Sequence, residues 1–283
     1  MKPMIKLMVF TFFLNANLFA QSGWFWQNPL PQGNTLRGIH VFDQNTALAV
    51  GGAGTVMKTT DGGINWHVQH SAGGTPEFLL AVYFTDANTG WAVGEVGTIL
   101  KTTDGGTTWS AQTSGTTSVL LSVYFIPQGG THTGWAAGFS GTILKTTDGG
   151  STWSAQTSGT TNDLYSVYFT DANTGWAVGA AGTILKTTNG GSTWSAQTSG
   201  TTIGLRSVYF TDANTGWAVG RDGTILKTIN GGSAWSAQIS GTTDILRSVY
   251  FIPQGGTNTG WVVGYSGTIL KTTDGGTTWS AQT

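Results

Sequence analysis

Thr59-Thr60-Asp61-Gly62-Gly63-Ile64-Asn65-Trp66 is the stretch on which the reading of this chain turns. Its pattern is a hydroxyl residue, a spacer, Asp or Asn, Gly-Gly, two residues and Trp. The pattern returns in six copies, ending at Trp66, Trp109, Trp153, Trp194, Trp235 and Trp279. Successive tryptophans stand 43, 44, 41, 41 and 44 residues apart. A fixed period of that length, with strand-like runs inside it, marks a propeller or solenoid array.

One repeat, residues 78–115, carries the argument from pattern to fold. Leu79-Leu80-Ala81-Val82-Tyr83-Phe84 is a short β-rich run, and Thr85-Asp86-Ala87-Asn88-Thr89-Gly90 is turn chemistry. Trp91-Ala92-Val93-Gly94 follows, then the connection Glu95-Val96-Gly97, then Thr98-Ile99-Leu100-Lys101-Thr102-Thr103. Asp104-Gly105-Gly106 turns the chain into a last strand beginning near Trp109. Four short strands joined by hairpins make an antiparallel meander, the unit of a propeller blade. The expected fold is therefore an all-β propeller of four-stranded blades over 34–71, 77–114, 118–158, 162–199, 203–240 and 244–283.

The acidic residue of the phrase reads as mechanical. Asp61, Asp104, Asp148 and Asp274 can accept hydrogen bonds from the N–H groups of their own turns. Asn189 and Asn230 replace Asp in two copies and can accept through a side-chain oxygen without a charge. The six phrase tryptophans are expected to wedge between neighbouring sheets.

The phrase resembles the Asp-box, or bacterial neuraminidase repeat. The wider unit, from Val82-Tyr83-Phe84 through Gly90-Trp91-Ala92-Val93-Gly94 to Trp109, resembles the photosystem II stability/assembly factor family over residues 24–283. The resemblance implies a non-catalytic assembly or protein-binding propeller, connected with photosynthesis, and typically seven blades. Trp24-Phe25-Trp26-Gln27 matches Trp109-Ser110-Ala111-Gln112 in its Trp and Gln, so an extra strand is expected at 24–28. A ring closed by that strand needs three more strands after Thr283, and the preferred expectation is six complete blades of an intended seven. The alternative is a closed six-bladed ring.

Composition narrows the function classes. Among the 283 residues, 12 Lys and Arg stand against 13 Asp and Glu, so no electrostatic argument arises for nucleic acid or an anionic membrane. Residues 1–20 read as a cleaved signal peptide, with Lys2 and Lys6 ahead of an apolar run from Leu7 to Phe19. That places residues 21–283 in a secreted, periplasmic or cell-surface setting without membrane insertion after cleavage. There is no Cys, so packing alone must stabilise the exported fold.

Differences between the copies concentrate at two places, which in a four-strand meander emerge on the face opposite the Gly-Gly turns. One is the second-to-third-strand connection, with Glu95, Phe139, Arg221, Asp222 and Tyr265; the other is the start of the first strand, with Arg37, Tyr165, Arg206 and Arg247. These residue types favour a partner-binding rim, weighed evenly against drift at solvated loop tips. The expected partner is a protein, or alternatively a cell-surface glycan. An enzyme is not expected. Glu77 and Glu95 are the only glutamates, Asp43, Asp163, Asp222 and Asp244 form no evident pair, and the four arginines sit at equivalent rim positions rather than in a catalytic set. His67 and His70 are close, but neither His40 nor His132 adds a nearby third ligand, so no metal or cofactor is expected. A secreted glycosidase or lectin-like module, and a cell-surface structural repeat protein, are the competing readings.

Overall fold

The computed structural model describes residues 33–69, 76–126, 132–252 and 258–282; the expected signal peptide, the 24–28 strand and His70 lie outside them. Six four-stranded antiparallel sheets stand as the blades of a ring, a β-propeller, and each sheet keeps its strands in chain order. The inner strands are Leu36–Val41, Leu79–Phe84, Leu120–Phe125, Leu164–Phe169, Leu205–Phe210 and Leu246–Phe251. In blade 2 the next strands outward are Gly90–Gly94, Ile99–Thr102 and Ser110–Gln112. No helix among the described residues is long and apolar enough to cross a membrane.

The Gly-Gly turn is a hydrogen-bonded lock. Thr102 Oγ1 donates to Asp104 Oδ1 at 2.8 Å and accepts from the buried Gly106 N–H at 3.0 Å. Asp104 Oδ1 also accepts from Thr108 N–H at 2.9 Å. Asn189 holds its turn the same way, accepting Thr193 N–H through Oδ1 at 2.9 Å. The turn is then tied to the loop after the inner strand, because Gly105 N–H donates to Asn88 O at 2.9 Å. That loop has its own carboxylate, Asp86, whose Oδ1 accepts Asn88 and Thr89 N–H at 2.8 Å each. Asp43, which looks irregular in the sequence, makes the matching bonds to Asn45 and Thr46 and belongs to the same set.

Blades pack through apolar layers, as the blade 2–blade 3 layer illustrates. Blade 2 contributes Trp91, Val93 and Ile99, and blade 3 contributes Leu120, Val123, Phe125, Ala136 and Leu144. Trp91 stacks on Phe125 with ring centroids 3.6 Å apart, and its Nε1 donates to Gly149 O at 3.1 Å. Gly150, at φ +87°, lies so close to that indole that an added Cβ would sit 2.7 Å from Nε1. The stack recurs as Trp135 on Phe169, Trp176 on Phe210 and Trp217 on Phe251.

The phrase tryptophans Trp109, Trp153, Trp194, Trp235 and Trp279 pack into or against the layers between blades, beside a second and more deeply buried set. The fully buried indoles are Trp91, Trp135 and Trp176, on the second strands. Trp153 meets Phe125 edge-on at 5.9 Å and, like Trp66, Trp235 and Trp279, remains partly exposed at the outer end of its layer. Only Trp109 and Trp194 of the six are buried.

Outer strands present an edge, and the chain covers it with a side chain. Gln112 Nε2 donates to the carbonyls of Ser110 and Ala111 at 3.2 Å each, and Gln156, Gln197, Gln238 and Gln282 repeat the device. Occupied carbonyls are poor templates for a foreign strand.

Five layers join consecutive blades, and at the seam between blade 6 and blade 1 no such layer forms among the described residues. Ile39 and Val41 are 60% and 61% exposed, whereas Val82 and Phe84, which hold those positions in blade 2, are 8% and 4% exposed. On the other side Val263 is 37% exposed where Val219 is fully buried.

Candidate partner-binding rim

Every inner strand carries a β-bulge at its second residue. In blade 2 the ladder pairs Leu79 with Gly94 and then Ala81 with Val93, skipping Leu80. The skipped residues elsewhere are Arg37, Leu121, Tyr165, Arg206 and Arg247. A bulge residue is released from the ladder and its side chain is re-aimed, a common arrangement next to functional sites. The first variable position of the sequence is thus a built structural feature in all six blades.

The second variable position is equally constrained. Each connection between second and third strands is a tight turn whose middle residue has positive φ: Ala53, Val96, Ser140, Ala181, Asp222 and Ser266, at 51–54°. L-residues resist that conformation, and a β-branched Val96 resists it most. Hydrogen bonds hold the turn in place, with Thr98 N–H donating to Glu95 O at 2.9 Å and Glu95 N–H to Phe78 O at 3.0 Å. Gly97 follows at φ +66°, where a Cβ would stand 2.0 Å from Thr116 O. The bond from Glu95 to Phe78 brings the turn beside the start of the inner strand, so both variable sets share one face. The Gly-Gly turns, bonded to the loop at the far end of the inner strand, lie on the other.

Two arginine–tyrosine pairs stand on this face, with the other two arginines within electrostatic range of them. The Arg206 guanidinium lies 4.0 Å from the centre of the Tyr165 ring, and Arg247 lies 4.7 Å from that of Tyr265. Arg247 Nη2 also donates to the Tyr265 hydroxyl. That bond, the charge of Arg247, and the nearby charges of Arg37 and Arg206 hold the Tyr265 phenol below its ordinary pKa. Burial lowers the pKa of Arg206, and the like charges of Arg247 and Arg221 add to the effect against the opposing pull of Tyr165. Arg206 Nε is buried without a hydrogen-bond partner. All four arginines of the chain therefore fall within one electrostatic neighbourhood. The six described lysines stand elsewhere, one on each third strand, as Lys101 does over the Trp91 ring at 5.6 Å.

The remaining predicted rim residues fall outside this cluster. Glu95 and Phe139 occupy the equivalent turns of blades 2 and 3, and Phe139 is partly exposed. Asp222 lines an open groove of about 890 Å³ along blade 5, together with Gln238 and Thr242. Asp163 and Asp244 act as braces: Asp163 Oδ1 accepts Ser140 N–H at 3.0 Å, and Asp244 Oδ2 accepts the Thr268 hydroxyl at 2.6 Å. Among the described residues no three His, Asp or Glu side chains are grouped to hold a metal ion.

A second feature runs along the inner strands themselves. Tyr83, Tyr124, Tyr168, Tyr209 and Tyr250 hold the fifth position of five inner strands, and His40 holds it in blade 1. Successive tyrosine rings are 5.1, 4.9, 5.1 and 5.3 Å apart, forming an aromatic belt from blade to blade. His40 continues it at 5.7 Å from Tyr83. The shared register was visible as a Tyr recurring in each Val-Tyr-Phe, but its meaning depends on the ring.

Comparison with known proteins agrees with this architecture. A solved YCF48 bound to a D1 peptide superposes with a TM-score of 0.71 at 23% identity, covering 89% of this chain and 83% of that one. YCF48 from Cyanidioschyzon merolae gives 0.71 at 23% identity, covering 91% and 87%. An ancestral GH74 enzyme gives 0.70 at 16% identity, covering 92% of this chain but 40% of the enzyme. No curated protein matches the chain. The family model described as photosynthesis system II assembly factor YCF48 matches in overlapping segments, 20–103, 72–157, 106–202, 156–240 and 198–283. With its repeats matched from end to end, the chain belongs to the YCF48 assembly-factor family.

Proposed function

We propose that this chain is an exported, non-catalytic scaffold whose arginine rim binds carboxylate-bearing segments of a protein partner. The observation that carries the reading is the convergence of Arg37, Arg206, Arg221 and Arg247, every arginine of the chain, beside Tyr165 and Tyr265. Guanidinium groups bind carboxylates through paired, charge-assisted hydrogen bonds. Flanking aromatics pre-orient them and add contact area. The peptide in the solved YCF48 complex supports a peptide-like partner, and the leader-like residues 1–20 support export.

The variant Arg206→Ala/Arg221→Ala/Arg247→Ala tests the proposal in a pull-down from envelope extracts of the source cells. Specific capture by the wild type and its loss in the variant, at unchanged melting temperature, is the expected result. Equal capture by both proteins would sink it.

A further inference from the structure

We propose that the tyrosine belt is an oxidative modification site, at which a one-electron oxidant joins adjacent blades through dityrosine bonds. The belt places five phenol rings from five blades in a row, each 4.9–5.3 Å from the next. Tyr209 Oη donates to Phe251 O at 2.9 Å. The row has distinct ends. Tyr250 is 51% exposed, while Tyr209 is buried and Tyr83, Tyr124 and Tyr168 are half-buried. At the other end Tyr83 faces the His40 imidazole.

The chemistry follows from that row. An oxidant takes one electron from a phenol, and the phenol proton is released to solvent, directly so at the exposed Tyr250. The phenoxyl radical carries spin on the ring carbons ortho to oxygen, and the adjacent ring is already in van der Waals range. A second one-electron oxidation gives a second phenoxyl. The two form a carbon–carbon bond, and their ortho hydrogens shift to oxygen and restore both phenols. Two electrons pass to the oxidant, two protons leave, and the chain loses two hydrogen atoms for each link. Tyr250 is the entry point because it is the exposed member. Each bond would tie the inner strands of two blades near the axis, where hydrogen bonds such as Val167 N–H to Ser122 Oγ already join them.

Tyr165 and Tyr265 provide an internal control, because each faces an arginine rather than another tyrosine. The full chain is exposed to photogenerated tris(bipyridine)ruthenium(III) at limiting conversion, and linked peptides are identified by mass spectrometry with dityrosine fluorescence. The expected links are intramolecular and confined to belt neighbours, Tyr209–Tyr250 foremost, each with the loss of two hydrogens. Tyr250→Phe should reduce the total yield several-fold, and Tyr168→Phe should leave only Tyr83–Tyr124 and Tyr209–Tyr250. Links at Tyr165 or Tyr265, links between molecules, or a yield unchanged by Tyr250→Phe would each overturn the proposal. The wild-type map is decisive even if a variant folds poorly.

Discussion

His40 shows how one residue can differ from its repeat and carry a measurable signature. Five blades have Tyr at this register, and His40 meets Phe42, Tyr83 and Phe84 within 5.7 Å. Burial lowers its pKa from 6.5 to about 4, so the folded protein keeps the imidazole neutral where the unfolded chain protonates it. The associated stability is present above pH 6.5 and is lost as pH falls towards 4. His40→Tyr should remove that component, a loss of roughly 1–3 kcal/mol. Urea midpoints of both proteins, followed across that pH range, check it; parallel curves would contradict the burial. The phrase carboxylates behave differently. The hydroxyl and N–H of Thr108 hold Asp104 down to about 2 from an exposed position, so this charge remains through mild acid and serves the turn. Asn189 and Asn230 already foreshadow that role in the sequence, because no reaction would tolerate the exchange.

At the scale of the element, the repeat contains two tryptophans whose roles are hard to separate on paper. Both are large, both follow turn chemistry, and both enter the layers between blades. The pleat decides which of them is buried more deeply. Trp135 on a second strand faces the next blade, stacks on Phe169 at 3.5 Å and donates to Gly190 O at 3.1 Å. Trp153 caps the outer end of a layer. Trp135→Ala should therefore cost about 3–5 kcal/mol, and Trp153→Ala about 1–3 kcal/mol. Denaturant unfolding of the two variants measures the difference, and a larger loss for Trp153→Ala would reverse the assignment. The bulge was hidden for a similar reason. Arg37, Tyr165, Arg206 and Arg247 could be located at strand starts, but a skipped ladder partner appears only when two strands are paired.

Across the whole molecule, the period and the turns made the blades legible because their signals are local. What the ring brings together was not legible. The arginines lie in blades 1, 5 and 6, far apart in sequence, and their clustering depends on the ring returning blade 6 to the neighbourhood of blade 1. The seam at that return makes its own prediction. Val219→Asp places an uncompensated charge in a closed layer and should cost several kcal/mol, about 3–5. Val263→Asp at the seam should cost about 1 kcal/mol or less. Equal losses in thermal unfolding would mean that the seam is packed like the other layers. The central claim is the arginine rim as a carboxylate-binding face. Its most direct test is a fluorescence-anisotropy titration of the D1 peptide and a panel of acidic and charge-reversed peptides. Acidic peptides should bind the wild type, weaken as salt shortens the screening length, and bind Arg206→Ala/Arg221→Ala/Arg247→Ala about tenfold or more weakly. Charge-reversed peptides binding equally well, or an unchanged affinity in the triple variant, would contradict the account.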